Sequence, residues 1–165
     1  MKKLNLGCGK DVKEGYLNAD LTKFKGIDCI FDFNVFPYPF HDNEFDEIYS
    51  SDVLEHLDDV ILVMKELHRI TKSGGMIRIL VPYYNCYGAY NDLTHKHYFS
   101  HKSFEPFYKT KSSNYFIKEK FELKKTKLLP TRFGELFLFD FIRKPLSFIL
   151  GQVIQQIDIT LIVKK

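Results

Sequence analysis

Tryptophan is absent from this sequence of 165 residues, and cysteine is scarce. The three cysteines, Cys8, Cys29 and Cys86, lie far apart and form no Cys-x-x-Cys pair. An odd, scattered set of this kind argues against a disulfide framework and against a structural zinc site. It favours a reducing, cytoplasmic environment and leaves the aromatic part of the core to 16 Phe and 10 Tyr residues.

Long apolar runs are also missing from the sequence. No segment reaches the roughly 20 consecutive apolar residues that cross a bilayer, and the first residues lead into a strand-like segment without a secretory leader. A hydrophobic fraction of 45% and a charged fraction of 27% are ordinary for a globular protein. We therefore expect one soluble domain over residues 1–165.

Basic residues are scarce in the first part of the chain, and acidic residues in the rest. Residues 1–60 hold 6 Lys and 13 Asp or Glu, whereas residues 61–165 hold 18 Lys or Arg and 8 Asp or Glu. This split suggests two surfaces with different partners. Lysines that merely keep the surface solvated explain it equally well.

Short apolar runs predict a series of strands, over residues 3–6, 16–20, 28–33, 45–50, 76–81, 121–129 and 157–163. The clearest helix is predicted over residues 52–72, where apolar residues recur at spacings of three and four. Asp52 and Glu55 resemble a capping box at its start, and Gly74-Gly75 resembles its stop. Strands apolar on both faces, mixed with a strong helix, predict an α/β fold with a largely parallel sheet.

The first predicted strand leads into a glycine turn, Gly7-Cys8-Gly9. Glycine suits this place because the missing Cβ lets the backbone bend sharply and lets a nucleoside come close. Val12 stands where the dinucleotide fingerprint needs a third glycine, and Lys10-Asp11 does not match the Gly-Lys-Ser/Thr of a phosphate-binding loop. The turn is therefore not expected to bind a pyrophosphate or a triphosphate.

Two carboxylates follow the next two predicted strands. Asp20 is placed to accept hydrogen bonds from both ribose hydroxyls, and Asp32 to accept one from the exocyclic amine of adenine. Leu21 and Phe33 beside them offer apolar faces. Each acid alone is more typical of a solvated loop, but ligands of open parallel sheets bind at this edge, so the joint pattern predicts a nucleoside site.

A longer, ordered series of motifs resembles a known family. The matching segments are residues 4–9, 18–20 and 32–33, the Pro-Phe-x-Asp-x-x-Phe-Asp stretch at 39–46, Val-Leu-Glu-His-Leu at 53–57, residues 67–75, and Asp-x-Thr-His-x-x-x-Phe at 92–99. Over roughly residues 3–108 the chain resembles the class I S-adenosylmethionine-dependent methyltransferases, within them the small type-11-like group. The resemblance implies S-adenosylmethionine as the cofactor. It also implies a three-layer Rossmann-like fold, with a mostly parallel sheet and an antiparallel C-terminal strand.

The resemblance also implies a cofactor site at the ends of the first four strands. Gly7 and Gly9 would approach the methionine part, Asp20 would hold the ribose and Asp32 the adenine. The expected cofactor-binding residues are Asn5, Gly7, Cys8, Gly9, Asp20, Leu21, Asp32, Phe33, Ser50 and Ser51.

The sequence departs from the family pattern in ways that bear on the pocket. Twelve residues lie between Gly7 and Asp20, so the first crossover helix is expected to be short or absent. Lys10 stands where a small residue is common, Asp52 replaces a frequent His, and the N-terminal cover helix has no counterpart. We expect a more open cofactor pocket and a modest affinity.

The polar segment after the fifth predicted strand supplies the catalytic candidates. Methyl transfer is a displacement that needs alignment above all, and a hydroxyl acceptor would also benefit from a general base. We expect His95 in that role, with Asp92 orienting it and Tyr84 as a further candidate. A purely structural role for His95 and Asp92 in the loop is the alternative. The His95-x-His97-x-x-x-His101 series lacks a firmly spaced carboxylate or cysteine partner, so no metal site is predicted.

Two segments bear on partners. Residues 109–127 contain seven lysines near Tyr108, Tyr115 and Phe116, but no RNA-binding motif is present, and nucleic acid is not expected as the substrate. Residues 133–156 are unusually apolar and predict a helical insertion between the last two strands. It would pack on the sheet or form a homodimer, and peripheral contact with a membrane is the alternative.

The sequence therefore predicts methyl transfer from S-adenosylmethionine to a small-molecule, glycan or lipid-linked acceptor. The alternative from a different class is a non-catalytic binding or scaffold protein that kept the fold. The short crossover and the missing cover helix would suit that alternative.

Overall fold

The computed structural model describes residues 1–109, 117–137 and 139–165, and its centre is a seven-stranded sheet. The strands are β1 Lys3–Leu6, β2 Leu17–Asp20, β3 Cys29–Ile30, β4 Phe45–Ser51, β5 Thr71–Pro82, β6 Lys120–Pro130 and β7 Ile154–Lys164. The α-helices are α1 Val60–Ile70, α2 Tyr87–Tyr90, α3 Glu105–Tyr108 and α4 Asp140–Ile149. Short 3-10 turns cover Leu54–His56 and Gly134–Leu136.

The strands lie in the order β3-β2-β1-β4-β5-β7-β6. The first five strands pair in parallel, and β7 pairs antiparallel with both β5 and β6. This confirms the predicted α/β, Rossmann-like fold with a mostly parallel sheet and an antiparallel C-terminal strand. The strand that comes last in the sequence thus lies inside the sheet, between β5 and β6.

The predicted long helix is wrong at both ends. Helix α1 begins at Val60, because Asp59 accepts the N–H groups of Ile61 and Leu62 at 2.9 and 3.0 Å and caps it. Asp52 has a φ of +54° and does not cap a helix. The apolar spacing predicted too early a start, because buried side chains of the 3-10 turn at Leu54–His56 continue the helical spacing toward the N-terminus. Gly74-Gly75 lies inside β5 and not at the helix stop.

The connections among the first four strands contain no helix within residues 1–53. Residues 7–16 form turns, which confirms the expected loss of the first crossover helix. Strand β3 is only two residues long, shorter than predicted. Phe31 and Phe33, which were expected to extend it, pack instead with Tyr38, with ring centroids of Phe31 4.8 and 5.1 Å from those of Phe33 and Tyr38.

The core lies on one face of the central strands. Ile77 and Ile79 of β5 and Ile159 of β7 are fully or almost fully buried there. On the opposite face Arg78 makes a two-pronged ion pair with Asp158, at 2.9 and 2.8 Å, across the β5–β7 pairing. The buried face therefore holds the sheet to the rest of the domain, while the other face of these strands is polar.

The apolar insertion contains helix α4, which lies between β6 and β7 in the chain. It exposes large apolar side chains, among them Phe141 at 72% and Ile149 at 81%. No helix within the described ranges is long and apolar enough to cross a membrane. Leu138 of the insertion, and Tyr115 and Phe116 of the lysine-rich segment, lie outside the described residues.

Candidate functional site

The glycine turn after β1 is held by β2. The N–H groups of Gly7 and Cys8 both donate to Ala19 O, at 2.9 and 3.1 Å. Gly7 has a φ of +71°, and a Cβ placed on it would lie 2.1 Å from Val53 Cγ2. Gly9 has a φ of +50°, but a Cβ there would meet nothing within 4 Å. Gly7 is therefore required by conformation and by close packing, whereas Gly9 borders open space.

The Asp20 carboxylate is bound to this turn. Its Oδ2 accepts the Gly9 N–H at 2.7 Å, and its Oδ1 accepts the Thr22 N–H at 2.9 Å. A carboxylate has about four lone-pair directions, so both oxygens keep acceptor capacity for ligand hydroxyls. Leu21, next in the chain, is 60% exposed and offers an apolar surface beside it.

Asp32 lies at the same edge of the sheet, because β3 pairs in parallel with β2. Its Oδ1 accepts the Asn34 N–H at 2.8 Å and its side chain is exposed. Phe33 differs from this pattern. Its ring is buried in a cluster with Phe31 and Tyr38. Phe33 therefore packs inside the protein and offers no exposed ring surface to a ligand.

Asn5 and Cys8, which were also predicted to bind the cofactor, are buried inside the protein. Asn5 is buried and its Nδ2 donates to Asp11 O and Asn18 Oδ1, which fixes the loop after the turn. Cys8 is also buried, and burial, followed by the charge of Asp20, raises the pKa of its thiol. We find no sign of reactivity in this environment.

Ser50 and Ser51 end β4 close to the turn. Ser50 pairs with Leu6 in register and is fully buried, and its Oγ has no hydrogen-bond partner among the described residues. Ser51 Oγ donates to Asp52 Oδ2 at 2.9 Å. Gln156 Nε2 of β7 donates to the other oxygen, Asp52 Oδ1, also at 2.9 Å. Each oxygen of the Asp52 carboxylate therefore accepts one hydrogen bond.

A cavity of about 320 Å³, here called the Glu55 cavity, opens beyond the ends of β4 and β5. Its lining includes Asp52, Glu55, His56, Asp92, His95 and Gln156. Val53, which packs on Gly7, lies between two of these residues in the chain. The glycine turn and the Glu55 cavity thus both border the short segment from Asp52 to Glu55.

Glu55 is the residue of this cavity that sequence reasoning missed. Glu55 is only 1% exposed, and neither of its carboxylate oxygens has a hydrogen-bond partner among the described residues. Burial raises its pKa to about 8. The signal was present in the Val-Leu-Glu-His-Leu motif, but the spacing to Asp52 made Glu55 resemble a helix cap.

The rings of His56 and His95 meet edge to face beside Glu55, with centroids 4.7 Å apart. The Thr94 hydroxyl donates to Asp92 Oδ1 at 2.6 Å, so its oxygen accepts from His56 Nδ1 at 2.9 Å. The Nδ1 of His95 lies 2.9 Å from Ala89 O, which can only accept. In the neutral form of each ring, the proton therefore lies on Nδ1 and the lone pair on Nε2.

The structure thus brings together Asp92 and His95 but connects Asp92 by hydrogen bonds to His56, through Thr94, and not to the His95 ring. Tyr84 is elsewhere. It lines a separate cavity of about 340 Å³ with His101 and Phe148, and its ring contacts Tyr83 at 4.9 Å between centroids.

Several known proteins that are similar to this chain are methyltransferases. The sequence model of a family described as "Methyltransferase domain", the type-11 group, matches residues 11–79. Over these residues the chain is similar to the class I methyltransferases of this group. S-adenosylmethionine is the methyl donor of that class.

Two curated methyltransferases are similar over part of this domain. A demethylmenaquinone methyltransferase of Geobacillus kaustophilus is 36% identical over 72 residues, which cover 41% of this chain and 31% of that protein. An uncharacterized methyltransferase of Schizosaccharomyces pombe is 40% identical over 58 residues, which cover 34% of this chain and 21% of that protein. The matches span about a third or less of these relatives.

The methyltransferase fold extends over nearly the whole chain. A solved S-adenosylmethionine-dependent methyltransferase from Archaeoglobus fulgidus superposes with a TM-score of 0.68 at 19% identity. The superposition covers 98% of this chain and 85% of that one. At this identity the likeness concerns the fold alone.

Proposed function

We propose that this chain transfers a methyl group from S-adenosylmethionine to a small-molecule, glycan or lipid-linked acceptor bound in the Glu55 cavity. The observation that carries the proposal is the shared wall of the two sites. Gly7 of the cofactor turn packs on Val53, and the neighbouring Asp52 and Glu55 line the cavity. A cavity of about 320 Å³ is of the size that holds a small ligand.

The residues at the turn fit an adenosine cofactor. The space beyond Gly9 is open, so a ligand can approach the backbone there. Asp20 is fixed by two backbone N–H groups and keeps acceptor capacity for ribose hydroxyls. Leu21 supplies an exposed apolar surface, and Asp32 lies one strand further along the same edge.

S-adenosylmethionine, when bound, supplies an electrophilic methyl group on a sulfonium sulfur. The work of the chain is then to orient the acceptor and to receive its proton. His95 is our proposed base, because its Nδ1 proton is held by Ala89 O and its Nε2 lone pair is free. Asp92 acts on the neighbouring His56 through Thr94, so we propose it as a positioning residue.

Binding of the demethylated cofactor, S-adenosylhomocysteine, tests the site by calorimetry. We expect Asp20→Ala and the milder Asp20→Asn to weaken binding at least about tenfold, because the ribose loses a charged acceptor. Asp42→Ala is the control, since this exposed Asp lies in the turn before β4, at the opposite edge of the sheet. Unchanged affinity in both Asp20 variants, with the fold intact, would remove Asp20 from the site.

The alternative of a non-catalytic assembly protein has one observation in its favour. The insertion exposes a series of apolar side chains, namely Leu136, Phe139, Phe141, Phe148 and Ile149. A homodimer through this surface, or contact with a membrane, remains a proposal for residues 133–156. Absence of S-adenosylhomocysteine binding together with self-association or vesicle binding would favour this alternative.

A further inference from the structure

Three side chains of the Glu55 cavity lie close together, and the proposed methyl transfer gives the three no joint role. Glu55, His56 and His95 each offer one ligand atom, and these atoms lie within 4.8 Å of one another. The set joins residues 40 positions apart, because the backbone N–H groups of Lys96 and His97 both donate to Glu55 O, at 2.7 and 3.1 Å. That pairing draws the His95 loop against the 3-10 turn that carries Glu55 and His56.

Each imidazole is prepared in the form that binds a metal. Metal-bound histidines characteristically donate the N–H of their other ring nitrogen to an oxygen, which fixes the tautomer. Here His56 Nδ1 is bound to the Thr94 oxygen, itself tied to Asp92, and His95 Nδ1 is bound to Ala89 O. The nitrogen left with a lone pair is Nε2 in both rings.

Glu55 completes the set. A buried carboxylate without any hydrogen bond is costly, and native structures rarely leave one in that state. Both of its oxygens lack a partner among the described residues, and it is only 1% exposed. Asp52, the nearby acid, differs from Glu55 because each of its oxygens accepts a hydrogen bond, from Ser51 and from Gln156.

We propose that Glu55, His56 and His95 bind a divalent first-row transition metal ion, with Zn²⁺ or Fe²⁺ as the chemical type. Two imidazoles and one carboxylate suit such ions, whereas Mg²⁺ and Ca²⁺ prefer all-oxygen surroundings. Three protein ligands leave at least one coordination position open to the cavity. With the metal bound, His95 Nε2 is a ligand and is no longer available as the base. An acceptor oxygen is the group we assign to the open position; this last step rests on the proposed function, but metal binding does not.

The test is titration of chelator-stripped protein with Zn²⁺ and with Co²⁺, whose visible absorption reports its ligands. The wild type should bind one equivalent, and Glu55→Gln, His56→Gln and His95→Gln should each weaken binding at least about tenfold. His41→Gln, at an exposed histidine outside the cavity, should bind like the wild type. Mg²⁺ in place of Zn²⁺ should bind far more weakly.

Folding and cofactor binding are measured on the same samples. Circular dichroism establishes that each variant folds, and a Zn²⁺-induced rise in the wild-type melting temperature gives a readout that needs no variant. No binding by the wild type, or wild-type affinity in all three cavity variants, would overturn the metal site. If the wild type binds the metal but does not bind S-adenosylhomocysteine, the proposed function alone is overturned.

Discussion

Gly7→Ala is the substitution whose cost the structure defines best. The new Cβ would destabilise the folded state in two ways. Gly7 has a φ of +71°, and a Cβ there would lie 2.1 Å from Val53 Cγ2. The left-handed conformation costs about 1–2 kcal/mol for a residue with a Cβ. Overpacking against a buried side chain costs about 1–3 kcal/mol more. We expect a loss of about 2–5 kcal/mol in the free energy of unfolding.

Gly9→Ala is the matched control for this prediction. Its φ of +50° imposes a similar conformational penalty, but its Cβ would point into open space. Urea denaturation should therefore show Gly7→Ala to be less stable than Gly9→Ala by about 1–3 kcal/mol, which is the packing part alone.

Val53→Ala provides the second test, because it removes the atom that collides. In the wild type this change should destabilise, since Val53 is only 7% exposed. In the Gly7→Ala background it should cost less, with a coupling of about 0.5–3 kcal/mol. Equal stabilities of Gly7→Ala and Gly9→Ala, or strictly additive effects with Val53→Ala, would refute the argument that Gly7 is needed for close packing.

Three further predictions concern other parts of the molecule. Burial raises the pKa of Glu55 in the folded state to about 8, so the folded state holds this proton more tightly than the unfolded state. The free energy of unfolding is therefore highest at acid pH and falls as the pH rises. With a chelator present, the unfolding free energy of the wild type should fall by up to about 4 kcal/mol between about pH 5 and pH 8 relative to Glu55→Gln, and parallel pH curves would contradict this. Asp59→Ala should cost about 1 kcal/mol in urea denaturation because it removes the α1 cap, whereas Asp58→Ala at its exposed neighbour should cost less than half of that. Replacing Phe141 and Ile149 by Ser should change stability by less than about 1 kcal/mol, as both are exposed, but should reduce self-association in light scattering or pelleting with vesicles; no change in either assay would discard a contact role for α4.

The sheet could be predicted from the sequence because its signals are local. Each strand is a short apolar run, and two glycines directly after the first run mark the turn. Helix α1 was misjudged because Leu54 and Leu57 are buried from a 3-10 turn and an extended residue, yet lie in phase with the helix that starts at Val60. Periodicity records which side chains are buried and does not record the backbone that buries them.

The cofactor residues and the cavity residues differ in the same way. Asp20 and Asp32 could be predicted because strand ends in a parallel sheet meet at one edge. The meeting of Glu55 with His95 could not, because it depends on hydrogen bonds between backbone groups 40 or more residues apart. The burial of Phe33 also depends on its partners Phe31 and Tyr38, and no pattern around position 33 indicates which face it turns to solvent.

The position of β7 inside the sheet has a consequence for folding during synthesis. A ribosome releases β5 and β6 before β7, yet these two strands touch only through β7, so both must wait with an unpaired edge until residues 154–164 emerge. Gln156 of that strand also secures Asp52 at the cavity. A nascent chain therefore cannot complete its pocket before residues 154–164 emerge, and until then a chaperone that shields strand edges would matter most to this protein.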